Sequence, residues 1–411
     1  MELSGAVVCL VEPSFFGVGF VKEAKRLGCQ VVVVVSDRDN PARYGYEGCY
    51  DDIVIADIRD SRSIYEAIKG SGHSAVNALI SATDYALAVT AEAAERLGLG
   101  GMSLETASLV RNKDLARIRF RERGVPSAEF RTVTTLEEAT AAASGIGYPV
   151  VFKPANTASS QNVFFISDSE RLAAAFPVMT EFTTSYMGFG VKSEYLIEEY
   201  LDGPEFSVEI FVSKGVVVFA EVTEKMTSPL PYFVELAHVF PTSVLPDRKQ
   251  AMIELASLAL AAVGLVDGPA HVELKWTRDG PRIIEVNGRP GGDNISSDLM
   301  PAASGVNVFR AAILNALGLP PELEAKTAAG CAVGFICAER AGILKSLDGL
   351  EDVLRDESII RASVGVEIGA EVVAPKSSDD RLGYIIVREE SPALAKQKIL
   401  DLIGRLRIVV E

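Results

Sequence analysis

At 411 residues the chain is too long for a single hydrophobic core, and we expect about two to four domains. Hydrophobic residues make up 48% and charged residues 23% of the sequence, which is ordinary for a soluble globular protein. A formal net charge of -16 argues against nucleic acid or an anionic membrane surface as the main partner, because both are polyanions. A small anion held by local cations is not excluded.

The start of the chain and its cysteines bear on location. Residues 1–10 carry no basic leader and run directly into an apolar segment, so we predict no signal peptide. No run approaches the roughly 18 to 20 apolar residues that a membrane helix needs. The five cysteines form no CxxC pair and are odd in number, which favours reduced packing thiols over disulfides or a zinc site. These features predict a cytoplasmic protein.

The first hundred residues alternate apolar runs with helical stretches. We predict strands at 6–11, 31–35, 53–55 and 78–80, and helices at 20–27 and 86–97. Strands that are apolar on both faces are typical of a parallel sheet covered by helices. The sequence therefore predicts a parallel α/β domain over residues 1–102, which ends in a glycine-rich stretch.

The middle of the chain changes to an α+β pattern. Helical patterns occupy 103–124, where Gly124 and Pro126 predict a helix end. We predict strands at 148–153, 163–166, 195–200, 206–212 and 216–222, with a turn at Lys214-Gly215. Further on we predict a helix at 249–263, a hairpin at 271–287, strands at 332–337 and 384–387, and a helix at 392–404.

The hairpin segment HVELKWTRDGPRIIEVNGRPGGDN, residues 271–294, carries the most chemical information. If Arg278-Asp279-Gly280 is a three-residue loop, Glu273 lies opposite Glu285. Two facing carboxylates repel each other, and a divalent cation between them reverses that effect. Carboxylate and amide oxygens suit Mg²⁺, although an exposed polar hairpin face is the alternative interpretation.

The residues after the hairpin favour an anion nearby. Arg289 is suited to phosphate or carboxylate oxygens, and Gly291-Gly292 lets backbone N–H groups approach an anion.

The segment HVEL…IIEVNGRPGGD resembles the metal-binding end of the ATP-grasp superfamily, whose pattern is a Glu on one strand and Glu-x-Asn-x-Arg on the next. The details are similar to the branch of bacterial L-amino acid ligases, the dipeptide synthetases, which is related to biotin carboxylase and carbamoyl phosphate synthetase. The resemblance is good over residues 105–310 and loose in the flanking domains. It implies a central ATP-grasp fold of two α+β subdomains, a helical linker and lid at 103–190 and a nucleotide- and metal-binding subdomain at 191–325. A small α+β C-terminal domain would follow at 326–411.

The resemblance also implies roles for individual residues. The metal ligands would be Glu273, Glu285 and Asn287. They would hold Mg²⁺, expected as two ions, and Mn²⁺ could replace it. ATP would be bound by Lys113, Lys153, Ser159, Ser160, Glu198, Glu199, Tyr200, Leu201 and Glu205. The catalytic groups would be Arg289, His238, Gly291 and Gly292.

Within that ATP set, the two lysines would contact phosphates, residues 198–201 would meet adenine and Glu205 the ribose. The lid departs from the family pattern, because TASSQNV contains no glycine. Ser hydroxyls can still meet phosphates, and Asn tolerates unusual backbone dihedrals.

The three histidines differ in their expected roles. His73 is expected to be a solvated loop residue, and His271 to orient a metal ligand or cap its strand. His238 is the one that the resemblance places beside a reacting carboxylate, although a packing role is nearly as good an interpretation.

The predicted activity is that of an ATP-dependent ligase that joins a carboxylate to an amine through an acyl phosphate, with small-molecule substrates and, by family resemblance, a homodimer. Three alternative functions can be compared with the same residues. An NAD-binding Rossmann site fails because Lys22 occupies the third glycine position of its fingerprint. A biotin-carboxylase-like enzyme remains open, since DDRLGYIIVREE is also similar to that group. A non-catalytic ATP-binding protein fits poorly with the complete set of site residues.

Overall fold

The computed structural model describes residues 3–73 and 75–411 of the chain. Met1, Glu2 and Ser74 lie outside the described residues. The first two belong to the segment 1–10, for which we predict no signal peptide, and Ser74 follows His73. In the described part, no helix has both the length and the apolar composition that crossing a membrane requires.

A parallel four-stranded sheet forms the N-terminal domain, which confirms the prediction. Its strands are β1 (Val7–Val11), β2 (Gln30–Val35), β3 (Asp52–Ile55) and β4 (Val76–Ser81), in the order β3-β2-β1-β4. Its helices are α1 (Val18–Arg26), α2 (Asn40–Tyr44), α3 (Ser61–Gly70) and α4 (Leu87–Leu97). The sequence analysis gives no bounds for α2 and α3, although Ile64 and Ile68 of α3 lie one helical turn apart and are both buried.

Two linker helices and a small antiparallel sheet follow. The helices are α5 (Leu104–Arg111) and α6 (Lys113–Arg123), and α6 ends at Gly124 in the left-handed conformation, as predicted. The sheet has the strands β5 (Phe130–Val133), β6 (Val150–Pro154), β7 (Phe164–Ile166) and β8 (Tyr195–Glu199), in the order β5-β8-β6-β7. The helices α7 (Leu136–Ile146) and α8 (Ser169–Glu181) cover one face of this sheet around Phe152 and Ile197.

The remainder of the chain supplies the following elements. The strands are β9 (Glu205–Ser213), β10 (Val216–Thr227), β11 (Glu235–Phe240), β12 (Gly268–Thr277), β13 (Gly280–Asn287), β14 (Gly330–Ile336), β15 (Gly342–Asp348), β16 (Ile359–Val364), β17 (Glu371–Val372), β18 (Gly383–Glu389) and β19 (Arg407–Val410). The helices are α9 (Pro246–Val263), α10 (Met300–Ser304), α11 (Val308–Ala316), α12 (Leu350–Val353) and α13 (Pro392–Gly404), with a π-helix at Ile295–Leu299. The turn between β9 and β10 has Lys214 and Gly215 both at positive φ, which matches the predicted hairpin.

One antiparallel sheet of eight strands joins the central and C-terminal parts of the chain, in the order β13-β12-β9-β10-β11-β14-β18-β16. The joint lies between β11 and β14, where Ala237 pairs with Gly334 and Phe240 with Cys331. The sheet therefore runs across the position at 325/326 where the sequence predicts a domain boundary. A second sheet, β17-β15-β19, completes the small C-terminal domain.

Candidate active site

A cavity of about 570 Å³ lies where the N-terminal loops, the lid sheet, the eight-stranded sheet and the C-terminal domain meet. Its volume is within the range of pockets that bind small molecules. Of the residues predicted from the sequence, the structure places these in its wall: Lys113, Lys153, Ser159, Ser160, Glu198, Glu199, Tyr200, Leu201, Glu205, His238, Glu273, Glu285, Asn287, Arg289 and Gly292. Gly291 is the predicted residue that does not line it.

The hairpin β12–β13 brings the two predicted carboxylates opposite each other, but not by the predicted loop. Thr277 pairs with Gly280, so the turn has two residues rather than three. A β-bulge at Ile284 then adds one residue to β13, and Glu273 pairs with Glu285 as a result. The bulge is therefore the device that aligns the two carboxylates.

A buried lysine that the sequence analysis did not identify neutralises one side of this pair. Lys225 on β10 lies 3.2 Å from Glu273, 3.1 Å from Glu205 and 3.5 Å from Glu235, measured from Nζ to carboxylate oxygens. Burial alone lowers the pKa of Lys225, but the three carboxylates outweigh it and raise that pKa well above its ordinary value. Glu205, predicted to bind ribose, is thus also part of an ion-pair network.

Lys113 contacts the other carboxylate. Its Nζ lies 3.0 Å from Glu285 Oε1 and donates a hydrogen bond of 2.6 Å to the carbonyl oxygen of Thr157 in the lid. Lys113 begins α6, as predicted, and it thereby joins the linker helix, the hairpin and the lid.

The residues present fit a divalent cation that shares its shell with phosphates. Within the described residues, no group of three His, Cys, Asp or Glu side chains forms a metal cage by itself. Two carboxylates, of Glu273 and Glu285, and the buried amide of Asn287 border one cavity. Mg²⁺ is commonly held by one or two carboxylates, with phosphates and water as the other ligands.

Lys153 sits in a second buried network, again with a partner that the sequence did not reveal. Its Nζ lies 2.6 Å from Glu198, and Arg117 on α6 donates to both oxygens of the same carboxylate at 2.8 and 3.1 Å. Burial alone raises the pKa of Glu198, but Arg117 and Lys153 outweigh it and lower that pKa to about 2. Arg117 also donates to the carbonyl oxygen of Ile284 at the bulge. The Glu198 side chain thus holds Lys153 in position.

The hinge between the two sheets follows β8. Glu199 ends β8, and Tyr200 and Leu201 lead on to β9 along the cavity wall. The ammonium of Lys275 lies 5.1 Å from the centre of the Tyr200 ring. An aromatic ring and an extended backbone therefore border this end of the cavity.

The lid has a strained backbone where the family pattern has glycines. Ser159, Ser160 and Asn162 have φ values of 60, 53 and 54°, in the left-handed region that costs non-glycine residues energy. The lid is tied to the N-terminal domain, since the N–H of Ala158 donates to the Tyr85 hydroxyl at 3.2 Å.

Arg289 connects the hairpin with the N-terminal domain. Its Nε lies 3.5 Å from Asp84, which Arg111 also contacts at 3.0 Å, and its guanidinium lies 5.0 Å from the centre of the Phe16 ring. Burial alone raises the pKa of Asp84, but the nearby cations, Arg111 first, outweigh the effect of burial and lower that pKa. Gly291 has a packing reason to be glycine, because a Cβ there would lie 2.6 Å from Glu209 Oε2.

The histidines have distinct surroundings. His238 is buried in the cavity wall, with Nε2 3.4 Å from Asp293 and Nδ1 without a hydrogen-bond partner among the described residues. Asp293 forms a two-pronged ion pair with Arg381 of the C-terminal domain, at 2.8 Å for both contacts. His73 is half-buried and contacts Asp52 at 2.8 Å, so it is not the solvated residue that the sequence suggested.

His271 lies between two carboxylates, with Nδ1 2.9 Å from Glu209 and Nε2 3.2 Å from Glu273. Burial alone lowers the pKa of His271, but the two carboxylates outweigh the effect of burial and raise that pKa to about 9. Of the two expected roles, orienting Glu273 agrees with these contacts.

The sequence did not reveal the charged partners of these residues, namely the buried Arg117, Lys225, Asp84 and Glu209 and the partly buried Asp293 and Arg381. A weak signal existed for two of them, because Arg117 lies one helical turn after Lys113, and Lys225 continues the strand that faces Glu205. Arg381 offered none, since its distance from the other residues along the chain hides its position.

Three family models match the chain in order. They are the ATP-grasp N-terminal domain at residues 21–101, the ATP-grasp domain at 146–298 and the L-amino acid ligase C-terminal domain 2 at 334–411. Two of these models name the superfamily that the motif at 271–294 resembles, and the third names the branch.

The chain is similar to two curated relatives and one solved structure. The chain is 26% identical to human carnosine synthase 1 over 86% of this chain and 44% of that protein. It is 29% identical to alanine–anticapsin ligase of Bacillus subtilis over 53% of this chain and 48% of that protein. The chain thus spans about half the length of these two relatives. The structure of an L-amino acid ligase from Bacillus licheniformis superposes over 99% of both chains with a TM-score of 0.82 at 23% identity, which shows a shared fold.

The order of the matched domains, the fold and the predicted residues in one cavity agree with each other. This chain belongs to the ATP-grasp superfamily and carries the C-terminal domain of its L-amino acid ligase branch.

Proposed function

We propose that this protein is an ATP-dependent carboxylate–amine ligase. It joins an amino acid or small carboxylic acid to an amino acid through an acyl phosphate, and it releases ADP and phosphate. The observation that carries the proposal is the pairing of Glu273 with Glu285 next to Lys113, in the cavity that Lys153 also lines. The match to the L-amino acid ligase C-terminal domain supports this activity over the alternative of biotin-carboxylase-like carboxylation.

ATP would lie between the lid sheet and the eight-stranded sheet. Adenine would stack near Tyr200 and meet the backbone of residues 199–201, because an extended backbone offers both a donor and an acceptor. Lys113 and Lys153 would contact the phosphates beneath the hydroxyls of Ser159 and Ser160. The Arg117–Glu198 pair would keep the Lys153 ammonium in place.

Glu273, Glu285 and Asn287 would hold the divalent metal, Mg²⁺ as one or two ions, with Mn²⁺ able to substitute. When bound, the metal neutralises charge on the phosphate oxygens during phosphoryl transfer. Burial alone raises the pKa of Glu273, but Lys225 and His271 outweigh burial and hold that pKa well below its ordinary value. Lys113 forms an ion pair with Glu285 at 3.0 Å.

Arg289 would hold the reacting carboxylate and then the oxyanion that forms on amine attack. The N–H of Gly292, which lines the cavity, would add a second donor, while Gly291 fits a packing role better. His238 would lie beside the same carboxylate and orient it. The lid would exclude water, which would otherwise hydrolyse the acyl phosphate.

The substrates would be small molecules that carry a carboxylate or an amine, consistent with what the names of the relatives say of those proteins. A homodimer and a cytoplasmic location remain predictions from the sequence.

The test is amine-dependent release of ADP from the purified protein with pairs of amino acids, with the amide product identified by mass spectrometry. We expect Glu285→Gln to reduce turnover to near background with an unchanged melting temperature, because the pair would lose one charged metal ligand. Glu194→Gln, at an exposed position, is the matched control.

Wild-type rates in Glu285→Gln would contradict the metal assignment. ATP hydrolysis that depends on bicarbonate and is stimulated by free biotin would instead support carboxylation.

A further inference from the structure

The loop after β1 presents aromatic side chains to the end of the cavity near Arg289. Phe15 and Phe16 belong to the segment in which Lys22 replaces the third glycine of a Rossmann fingerprint. Both phenylalanines line the cavity. Phe15 is 66% exposed, among the highest values for a large hydrophobic side chain in the described part of the chain. Exposure of that size on the wall of a cavity suggests a surface built for an apolar ligand group.

Hydrogen bonds and close packing hold the backbone of this loop. Glu12 and Phe15 have φ values of 49 and 43°, and the buried Glu12 carboxylate accepts hydrogen bonds from the N–H and hydroxyl of Ser36 and from Asn40. A Cβ at Gly17 would lie 1.8 Å from the carbonyl oxygen of Ala82, so the loop packs directly on the strand β4 side of the sheet. Backbone strain that is held by its surroundings is typical of functional positions.

Aromatic residues from two other parts of the chain line the same cavity. Tyr186, which follows the lid sheet's helix α8, is 47% exposed and lies 6.3 Å from Phe15 between ring centres. Phe335 on β14 and Tyr384 on β18 come from the C-terminal domain. Neither the N-terminal loop nor these C-terminal strands contain a residue predicted to bind ATP, so this aromatic set is available to a substrate.

Its distance from Arg289 suggests which substrate. The Arg289 guanidinium lies 5.0 Å from the centre of the Phe16 ring. In an α-amino acid the side chain begins only two bonds from the carboxylate carbon. A carboxylate held by Arg289 therefore places the side chain of the same molecule against Phe16 and its neighbours.

Two of the carboxylates around this end are already paired with arginines. Asp84 contacts Arg111 and Arg289, and Asp293 contacts Arg381, whose guanidinium lies 3.8 Å from the centre of the Phe335 ring. Asp379, a third carboxylate on this part of the cavity wall, is exposed, and partial burial of its carboxyl group raises its pKa. An anionic substrate side chain would meet these carboxylates, and a cationic one would compete with the arginines for the two that are paired, whereas an apolar side chain would do neither.

We infer that Phe15, Phe16 and Tyr186, with Phe335 and Tyr384, form a side-chain pocket that selects a large apolar or aromatic amino acid as the carboxylate donor. This inference rests on the proposed ligase function.

Internal competition tests the selectivity. L-phenylalanine, L-leucine, L-alanine, L-glutamate and L-lysine are mixed at equal concentrations with Mg-ATP, and the N-terminal residue of each dipeptide is identified by tandem mass spectrometry. We expect phenylalanine and leucine to exceed each of the other three about tenfold or more as N-terminal residues, since apolar pockets discriminate by about that factor. Equal use, or a preference for alanine or a charged residue, would overturn the inference.

Variants at Phe15 test the pocket itself. Phe15→Ala should reduce the phenylalanine-to-alanine ratio about tenfold, and Phe15→Leu should restore most of it. Leu245→Ala is the control, because Leu245 is 69% exposed and lies outside the cavity lining. An unchanged ratio in Phe15→Ala would contradict the role of this loop.

Calorimetric titration separates this inference from the proposed function. L-phenylalanine should bind wild type at least tenfold more tightly than L-lysine, and Phe15→Ala should remove that difference. If the preference in binding is present but no dipeptide forms from any pair, the ligase proposal fails and the pocket stands. If dipeptides form and neither binding nor product ratio favours apolar residues, the pocket fails and the ligase proposal stands.

Discussion

Arg289 occupies a position where three parts of the molecule meet. It follows β13, contacts the buried carboxylate of Asp84 from the N-terminal domain and stacks on Phe16. Its Nε nevertheless has no hydrogen-bond partner within the described residues, although it is buried. A buried donor without a partner is costly, so a ligand anion in the cavity would find a group suited to bind it.

The change Arg289→Ala should raise the reaction barrier on the order of 2.7 to 4 kcal/mol, because it removes a donor to the developing oxyanion. The measurement is kcat for ADP release at saturating substrates. Arg278→Ala, in the exposed turn of the same hairpin, is the control and should have no effect. A loss of less than tenfold in Arg289→Ala would dismiss the oxyanion role.

Glu198 shows how one buried carboxylate links stability to pH. Its folded pKa of about 2 lies below its ordinary value of 4.5, so its ion pairs stabilise the folded state above pH 4.5. That contribution, on the order of 3 kcal/mol, is lost as the pH falls from 4.5 towards 2.

Urea unfolding at pH 7 and pH 3.5 tests this contribution. Wild type should lose on the order of 1 kcal/mol more between the two pH values than Glu198→Gln, in which this group cannot titrate. The variant should also be less stable at pH 7, because the buried guanidinium of Arg117 keeps its charge and loses its carboxylate partner. Equal losses in both proteins would show that the network does not set the acid sensitivity.

At the scale of elements, local irregularities decide where the functional groups lie. The bulge at Ile284 shifts β13 by one residue and pairs the two glutamates, while the left-handed serines shape the lid. The loop after β1 depends on Gly17, whose backbone has ordinary helical dihedrals of -63 and -20°. Its requirement for glycine is therefore steric and not conformational.

Two glycine-to-alanine changes separate these effects. Gly17→Ala should lower the melting temperature and the activity, because its Cβ would lie 1.8 Å from the carbonyl oxygen of Ala82. Gly145→Ala, inside α7 with open space around its Cβ, should instead stabilise the protein by about 0.5 to 1 kcal/mol. Thermal unfolding of both variants is the measurement. A melting temperature of Gly17→Ala equal to that of the wild type would refute the proposed contact between the loop and β4.

At the scale of the whole molecule, the C-terminal domain completes both the sheet and the cavity. The strands β14, β18 and β16 extend the eight-stranded sheet beyond β11. Val333, Phe335 and Ile386 also belong to the hydrophobic core that contains Val8 and Phe20 of the N-terminal domain. Arg381 reaches from this domain to Asp293 in the cavity wall.

A chain that ends at residue 325 should therefore fail to fold as a monomer. It would leave β11 as an unpaired edge and expose core residues such as Val239 and Phe240, which favours aggregation. Size-exclusion chromatography and circular dichroism of this truncated protein, next to the full chain, are the measurements. A monodisperse, folded fragment that binds ATP would show that the predicted boundary is a true domain boundary.

The local patterns of the sequence were sufficient to predict the parallel N-terminal sheet, the hairpin at 271–287, which the structure extends to 268–287, and the superfamily. Apolar periodicity and turn residues act over a few neighbours, and so do the spacings of Glu273, Glu285, Asn287 and Arg289 on two adjoining strands. The opposition of the two glutamates was predicted correctly, but from the wrong loop, because a bulge leaves no clear mark in composition.

Tertiary structure alone decided which partners these residues have. Lys225, Arg117 and Asp84 reach their carboxylates or guanidinium groups from separate elements, and Arg381 does so from a different domain. The local sequence around a charged residue does not show whether its side chain is solvated or buried. That depends on which strands pair and which faces of the elements pack together. The sequence therefore determined which functional groups are available. The packing of distant segments determined how the charges are paired and where the cavity lies.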